Sequence, residues 1–176
     1  MPGDIVKFAI KGSAILAAAA LCVAVSANAQ TTYTCVLQGS QEVPPNASTA
    51  TGTATVVLDV TQTQLSISVQ FANLIGTYSA SHIHGPAAVG VNASVRWGFV
   101  GAPAGWVFSN ANHDGVLTNF SVTGLTPAEV ANLNNGLYYV NVHSTTFPGG
   151  ELRGQLARDT VGVEGKTWSQ VKSLLR

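Results

Sequence analysis

Three of the four histidines in this 176-residue chain fall in two short runs, Ser81-His82-Ile83-His84-Gly85-Pro86 and Tyr139-Val140-Asn141-Val142-His143. In a β-strand, residues two apart share a face. His82 and His84 therefore stand side by side, with Ile83 turned away. In the second run Val140 and Val142 alternate with Tyr139, Asn141 and His143. Imidazoles gathered on one sheet face can bind a transition-metal ion. Three nitrogens plus a water suit copper or zinc, and a fourth imidazole from His113, beside Asp114, would make an all-nitrogen set. Two other readings use the same residues. The rings can be structural, paired with polar neighbours, or they can recognise a small-molecule or protein ligand directly.

A hairpin positions the second run. Leu137–His143 and Glu151–Leu156 are linked by a segment ending in Pro148-Gly149-Gly150. Setting Val142 opposite Leu152 fixes the register. Asn141 then faces Arg153, and His143 faces Glu151, all on the face away from the core. Opposed side chains have Cβ atoms about 4.5–5.5 Å apart. Glu151 could thus bond the second ring nitrogen of His143, as carboxylates do for metal-bound histidines. Asn141, Arg153 and Asp114 are the other expected supporting residues.

Other chemistries are poorly served. A blue-copper site needs a thiolate. The chain has two cysteines and one methionine, Met1, and Cys35 alternates with Tyr33 and Leu37 on an apolar face. There is no Gly-x-Ser-x-Gly motif, and Ser81 and Ser144 adjoin histidines only in sequence. Nucleic acid is excluded as a partner by charge, because eight basic and eight acidic residues leave no basic stripe.

The elements around these runs are mostly strands. Ala54, Val56, Leu58 and Val60 alternate, as do Leu65, Ile67, Val69 and Phe71, and the link at Thr61–Gln64 makes them a hairpin. Val116, Thr118, Phe120 and Val122 give a later strand. Gly85 to Asp114 is broken by glycine and proline, with short strand candidates at Arg96–Val100 and Trp106–Phe108. Thr126, Pro127 and Glu129 signal the capped start of a short helix that Gly136 ends. A second short helix, capped at Thr167, closes the chain.

Residues 1–29 read as a signal peptide: Lys7 and Lys11, an apolar run from Ala14 to Val25 too short to span a membrane comfortably, and an Ala27-Asn28-Ala29 cleavage site. The expected mature protein is exported, periplasmic or extracellular. It has no transmembrane segment, a domain at 30–158 and a tail at 159–176. Removing Lys7, Lys11 and Asp4 leaves a net charge of about −1. One cysteine, Cys35, survives cleavage, so no internal disulfide can form.

Four segments together resemble a known family. They are Glu42-Val43-Pro44-Pro45, His82-Ile83-His84-Gly85-Pro86-Ala87, Tyr139-Val140-Asn141-Val142-His143-Ser144, and Pro148-Gly149-Gly150-Glu151-Leu152-Arg153-Gly154-Gln155-Leu156. The pattern is similar to the CHRD (chordin-type) domain, in the form of an exported single-domain microbial protein, over roughly residues 32–157. The resemblance implies an all-β extracellular module and brings no activity with it. The fold expected on both grounds is all-β, an antiparallel Greek-key-like β-sandwich with one short internal helix and a short C-terminal helix. The function expected is a histidine metal site, copper before zinc, for metal binding or redox chemistry, with a non-catalytic extracellular binding module whose histidines are structural as the alternative.

Overall fold

The computed structural model describes residues 29–99 and 105–159. The segment read as a signal peptide, but for its last residue, and the helix expected at the C-terminus lie outside the described residues. Ten strands and one α-helix follow in chain order: β1 (Thr31–Gln38), β2 (Thr51–Leu58), β3 (Gln64–Ala72), β4 (Tyr78–His84), β5 (Val95–Gly98), β6 (Trp106–Ser109), β7 (Asp114–Thr123), α1 (Pro127–Asn134), β8 (Tyr139–Ser144), β9 (Leu152–Gln155) and β10 (Ala157–Arg158).

All pairings between these strands are antiparallel. The strands form one sheet in the order β5-β4-β8-β9-β1-β2-β3-β7-β6, with β10 also on β1. Between β9 and β1 the ladder narrows to a single pair, Gln38 with Arg153. The sandwich is therefore a single sheet curled over on itself. The chain fills it by crossovers: β4 lies beside β8, and β3 beside β7. Aromatic rings tie one half to the other. Phe71 on β3 stacks on Tyr78 of β4 at 5.6 Å, and Tyr78 meets Trp106 of β6 at 5.1 Å between ring centroids.

The inner face is the apolar one that alternation predicts. Val56, Leu58, Ile67, Val69, Phe71, Val140, Val142 and Leu152 are all buried, each contributing about 1.5–3 kcal/mol of burial. Cys35 packs against this core, and burial pushes its thiol up to about 12. It therefore carries no thiolate at neutral pH. The helix starts as the sequence indicates: Thr126 and Glu129 form a reciprocal capping box, with Pro127 in the first turn. Its Val130 and Leu133 enter the core.

Two sequence expectations change. Val60 is exposed, because β2 ends at Leu58 and the turn begins. In β7, Val116 and Thr118 do not share the face of Phe120 and Val122. Asn119 adopts a left-handed conformation, with φ of 54°. The register against β3 shifts there, from Ile67–Phe120 to Val69–Leu117. The bulge switches the phase of the strand, so Leu117 is buried and Val116 faces out.

Candidate metal centre

Both histidine-bearing strands lie next to each other in the sheet. His82 pairs with Asn141, His84 with Tyr139, and Ala80 with His143. His143 is thus one diagonal step from His82. On the far side of β8, Val142 pairs with Leu152 and Asn141 with Arg153, the register that the hairpin argument requires. Ile83, Val140, Val142 and Leu152 fill the core with no exposed surface. Their alternation forces His82, His84, Tyr139, Asn141, His143 and Arg153 onto the other face.

That face is not open to water as expected. Asn141, Arg153 and Tyr139 are buried, and Glu151 has no exposed surface at all. Two loops cover them, residues 39–50 after β1 and residues 85–94 after β4. Asn141 donates to Glu42 Oε1 at 2.7 Å. Arg153 donates to Asn92 Oδ1 and to the Val91 carbonyl at 3.0 and 2.8 Å. Two glycines let the loops approach so closely. A Cβ on Gly85 would overlap the Tyr138 ring and the Leu137 carbonyl, and one on Gly150 would lie 2.6 Å from Glu42 Oε1 and 2.8 Å from Asn141 Nδ2. Both have φ in the range that side chains avoid, 143° and 134°.

Under this cover the three imidazoles converge. His82, His84 and His143 each offer one ring nitrogen, all within 4.8 Å of one another. His82 Nδ1 and His143 Nε2 lie 3.1 Å apart. Nitrogens around one zinc lie roughly 3–4 Å apart, given metal–nitrogen distances of about 2.0–2.1 Å. The 4.8 Å bound exceeds the top of that range by about 1 Å.

Two carbonyls set the tautomers. His84 Nδ1 lies 2.9 Å from the Ala93 oxygen, and His143 Nδ1 3.0 Å from the Pro148 oxygen. A carbonyl only accepts, so both rings must carry hydrogen on Nδ1. Their Nε2 atoms are left as lone pairs. That of His143 faces His82, and that of His84 is buried with no partner at all. An unsatisfied buried acceptor costs about 1–3 kcal/mol, and a metal ion is one group that would satisfy it. His82 bridges to His143 through a single hydrogen on Nδ1. Moving that hydrogen to Nε2 opens a third lone pair without changing the charge of the ring.

The rings are neutral. Burial, then the neighbouring His143 and His84, drive His82 from 6.5 down to about 4. Burial likewise lowers His84, against the pull of the Ala93 carbonyl, with Arg153 adding to the fall. It lowers His143 too, against the Pro148 carbonyl. Neutral imidazole is the ligating form. Tyr139 fixes His84: the rings stack at 5.0 Å and 6°, and the Arg153 guanidinium lies over the Tyr139 ring, 3.5 Å from its centroid.

The remaining expected residues lie elsewhere. His113 is outside the cluster; its Nδ1 bonds the Leu74 carbonyl in the loop between β3 and β4. Asp114 accepts from the backbone of Asn73 in the same loop. Glu151 does not reach the ring of His143. Its Oε1 accepts from Ser48 Oγ and from the Ile75 amide, both at 2.7 Å, and the Pro148 carbonyl takes the place foreseen for it. β9 begins only at Leu152, so the opposed-strand geometry stops one residue short of Glu151. Glu42 is the residue the sequence reading left out of the site. Its burial beside Asn141 raises its carboxyl to about 7, against the lowering influence of Asn141 and Arg153. Its one signal was its place in the Glu-Val-Pro-Pro segment.

The family model described as CHRD domain matches residues 33–156. No curated protein and no solved structure is matched.

Proposed function

The chain belongs to the CHRD domain family, and on the geometry of its histidine cluster we propose that it is a metal-binding module whose ion is held by His82, His84 and His143, copper before zinc. The observation that carries this reading is the buried, partnerless Nε2 of His84 beside two further imidazole nitrogens within 4.8 Å. The donor set argues for copper. It is neutral, it contains no carboxylate or thiolate, and the Arg153 cation lies near enough to depress His84. A divalent ion there keeps its full charge in a partly desolvated site, while copper(I) brings half as much. Among divalent ions, copper also outranks zinc on nitrogen ligands. Three nitrogens leave coordination positions open, which suits redox chemistry of the bound ion as well as simple sequestration.

The same proposal places the module outside the cytoplasm, with residues 1–29 as its signal peptide and 159–176 as a separate tail. No helix among the described residues is long and apolar enough to cross a membrane. The test is metal titration of protein purified without a polyhistidine tag and stripped with a chelator. One copper ion per chain should bind, with weaker zinc binding, and His84→Ala and His143→Ala should each abolish it while circular dichroism stays unchanged. A folded wild-type chain that takes up neither metal contradicts the proposal.

A further inference from the structure

A second cavity, lined by none of the three histidines, opens between the 39–50 and 85–94 loops. The cavity, of about 330 Å³, is lined by Glu42, Val43, Val89, Arg153 and Gln155, among others. Three polar groups of its lining bear on what it could hold. Arg153 is 2 % exposed. Among the described residues the one ion pair is Arg96 with Glu129, so Arg153 is a buried cation without a carboxylate at ion-pair distance. Its neutral partners, Asn92, Val91 and the Tyr139 ring, leave its charge unbalanced out of water. Glu42 is a buried carboxyl, bonded to the Asn141 amide. Gln155 donates through Nε2 to the carbonyls of Ala87 and Gly136, at 3.1 and 2.7 Å. Those two carbonyls fix which way the amide faces, and its Oε1 is left buried with no donor.

The cavity is thus lined by one cation, one carboxyl and a glutamine whose acceptor has no donor, with Val43 and Val89 as apolar walls. A ligand that completes all three carries a carboxylate for Arg153 and a cationic or N–H donor for Glu42 and Gln155 Oε1. We propose that this cavity is a binding site for an α-amino acid, held by its carboxylate on Arg153 and its ammonium between Glu42 and Gln155. Arginine is suited to the first task by its planar fork. An ammonium beside Glu42 restores the charged carboxylate that burial disfavours. The site needs no metal, so its occupancy is independent of the histidine proposal.

Titration of chelator-stripped, tag-free protein with L-alanine, followed by calorimetry and by the Gln155 side-chain amide resonances, tests the proposal. Saturable binding is expected. N-acetylglycine, which lacks the ammonium, and glycinamide, which lacks the carboxylate, should each bind at least about tenfold more weakly than glycine, the equivalent of about 1.4 kcal/mol. Glu42→Gln keeps the bond to Asn141 and should also lose about tenfold. Val89 is 77 % exposed, so Val89→Trp fills the cavity mouth without disturbing the core, and it should abolish binding in a chain with an unchanged fold. No saturation with millimolar L-alanine, equal affinity for N-acetylglycine, or unchanged binding by folded Val89→Trp each overturns the proposal. Because the protein is metal-free throughout, none of these results bears on the copper site.

Discussion

Acid should weaken the metal-free fold through the histidine cluster, and the size of the effect follows from the site. His82 has a pKa of about 4 in the folded chain, against 6.5 ordinarily. The unfolded chain therefore binds the extra proton first. The stability contributed by neutral His82 is complete above pH 6.5 and is lost as pH falls toward 4. At 1.36 kcal/mol per pKa unit the full gap is worth about 3 kcal/mol. The ring is only half buried, and solvent screening reduces the figure to about 1–2 kcal/mol. His84 and His143 are shifted in the same direction and add to the loss. Glu42 has the opposite sign. Its carboxyl is raised from 4.5 to about 7, so its contribution is complete below pH 4.5 and is lost as pH rises through 7. Urea denaturation of the stripped wild type, His82→Asn and Glu42→Gln at pH 7.5, 5.5 and 4.5 separates the two. Between pH 7.5 and 4.5 the wild type should lose about 1–2 kcal/mol more than His82→Asn, whereas Glu42→Gln should lose more than the wild type. Parallel pH profiles for wild type and His82→Asn would refute the claim that the cluster is held neutral by its surroundings.

Other substitutions probe the cover and the supporting residues. Gly150→Ala should destabilise by about 1–3 kcal/mol in urea denaturation and weaken copper binding in titration, because its Cβ enters the space of Glu42 and Asn141. Glu151→Ala removes the anchor of Ser48 and Ile75. It should lower stability by about 2–4 kcal/mol yet leave one metal ion per folded chain, since Glu151 does not touch His143. His113→Ala should leave metal stoichiometry unchanged, because its ring serves the Leu74 loop.

What could be read in the sequence was what depends on local alternation. Val140 and Val142 against Asn141 and His143 fixed the faces of β8, and Val142 opposite Leu152 fixed the hairpin register, which in turn aligned Asn141 with Arg153. The capping box at Thr126 depends on four consecutive residues and was equally plain. What could not be read was set by contacts distant in sequence. Glu42 reaches Asn141 across 99 positions, and nothing in strand periodicity says that a loop will bury the polar face. The bulge at Asn119 inverted β7 because one residue took a left-handed φ, a choice that alternating hydrophobicity does not encode. The pairing of Glu151 with His143 failed for a related reason: the register was right, but the strand ended one residue early and a backbone carbonyl was nearer.

The central claim is that three neutral imidazoles form one metal site, and X-ray absorption at the copper edge on tag-free protein loaded with one equivalent of copper tests it most directly. Three nitrogens at about 2.0 Å, with imidazole multiple scattering and no sulfur, are expected around the copper, and the signal should be reduced or lost in His84→Ala. A shell dominated by oxygen, a sulfur scatterer from Cys35, or a spectrum unchanged by His84→Ala would contradict it.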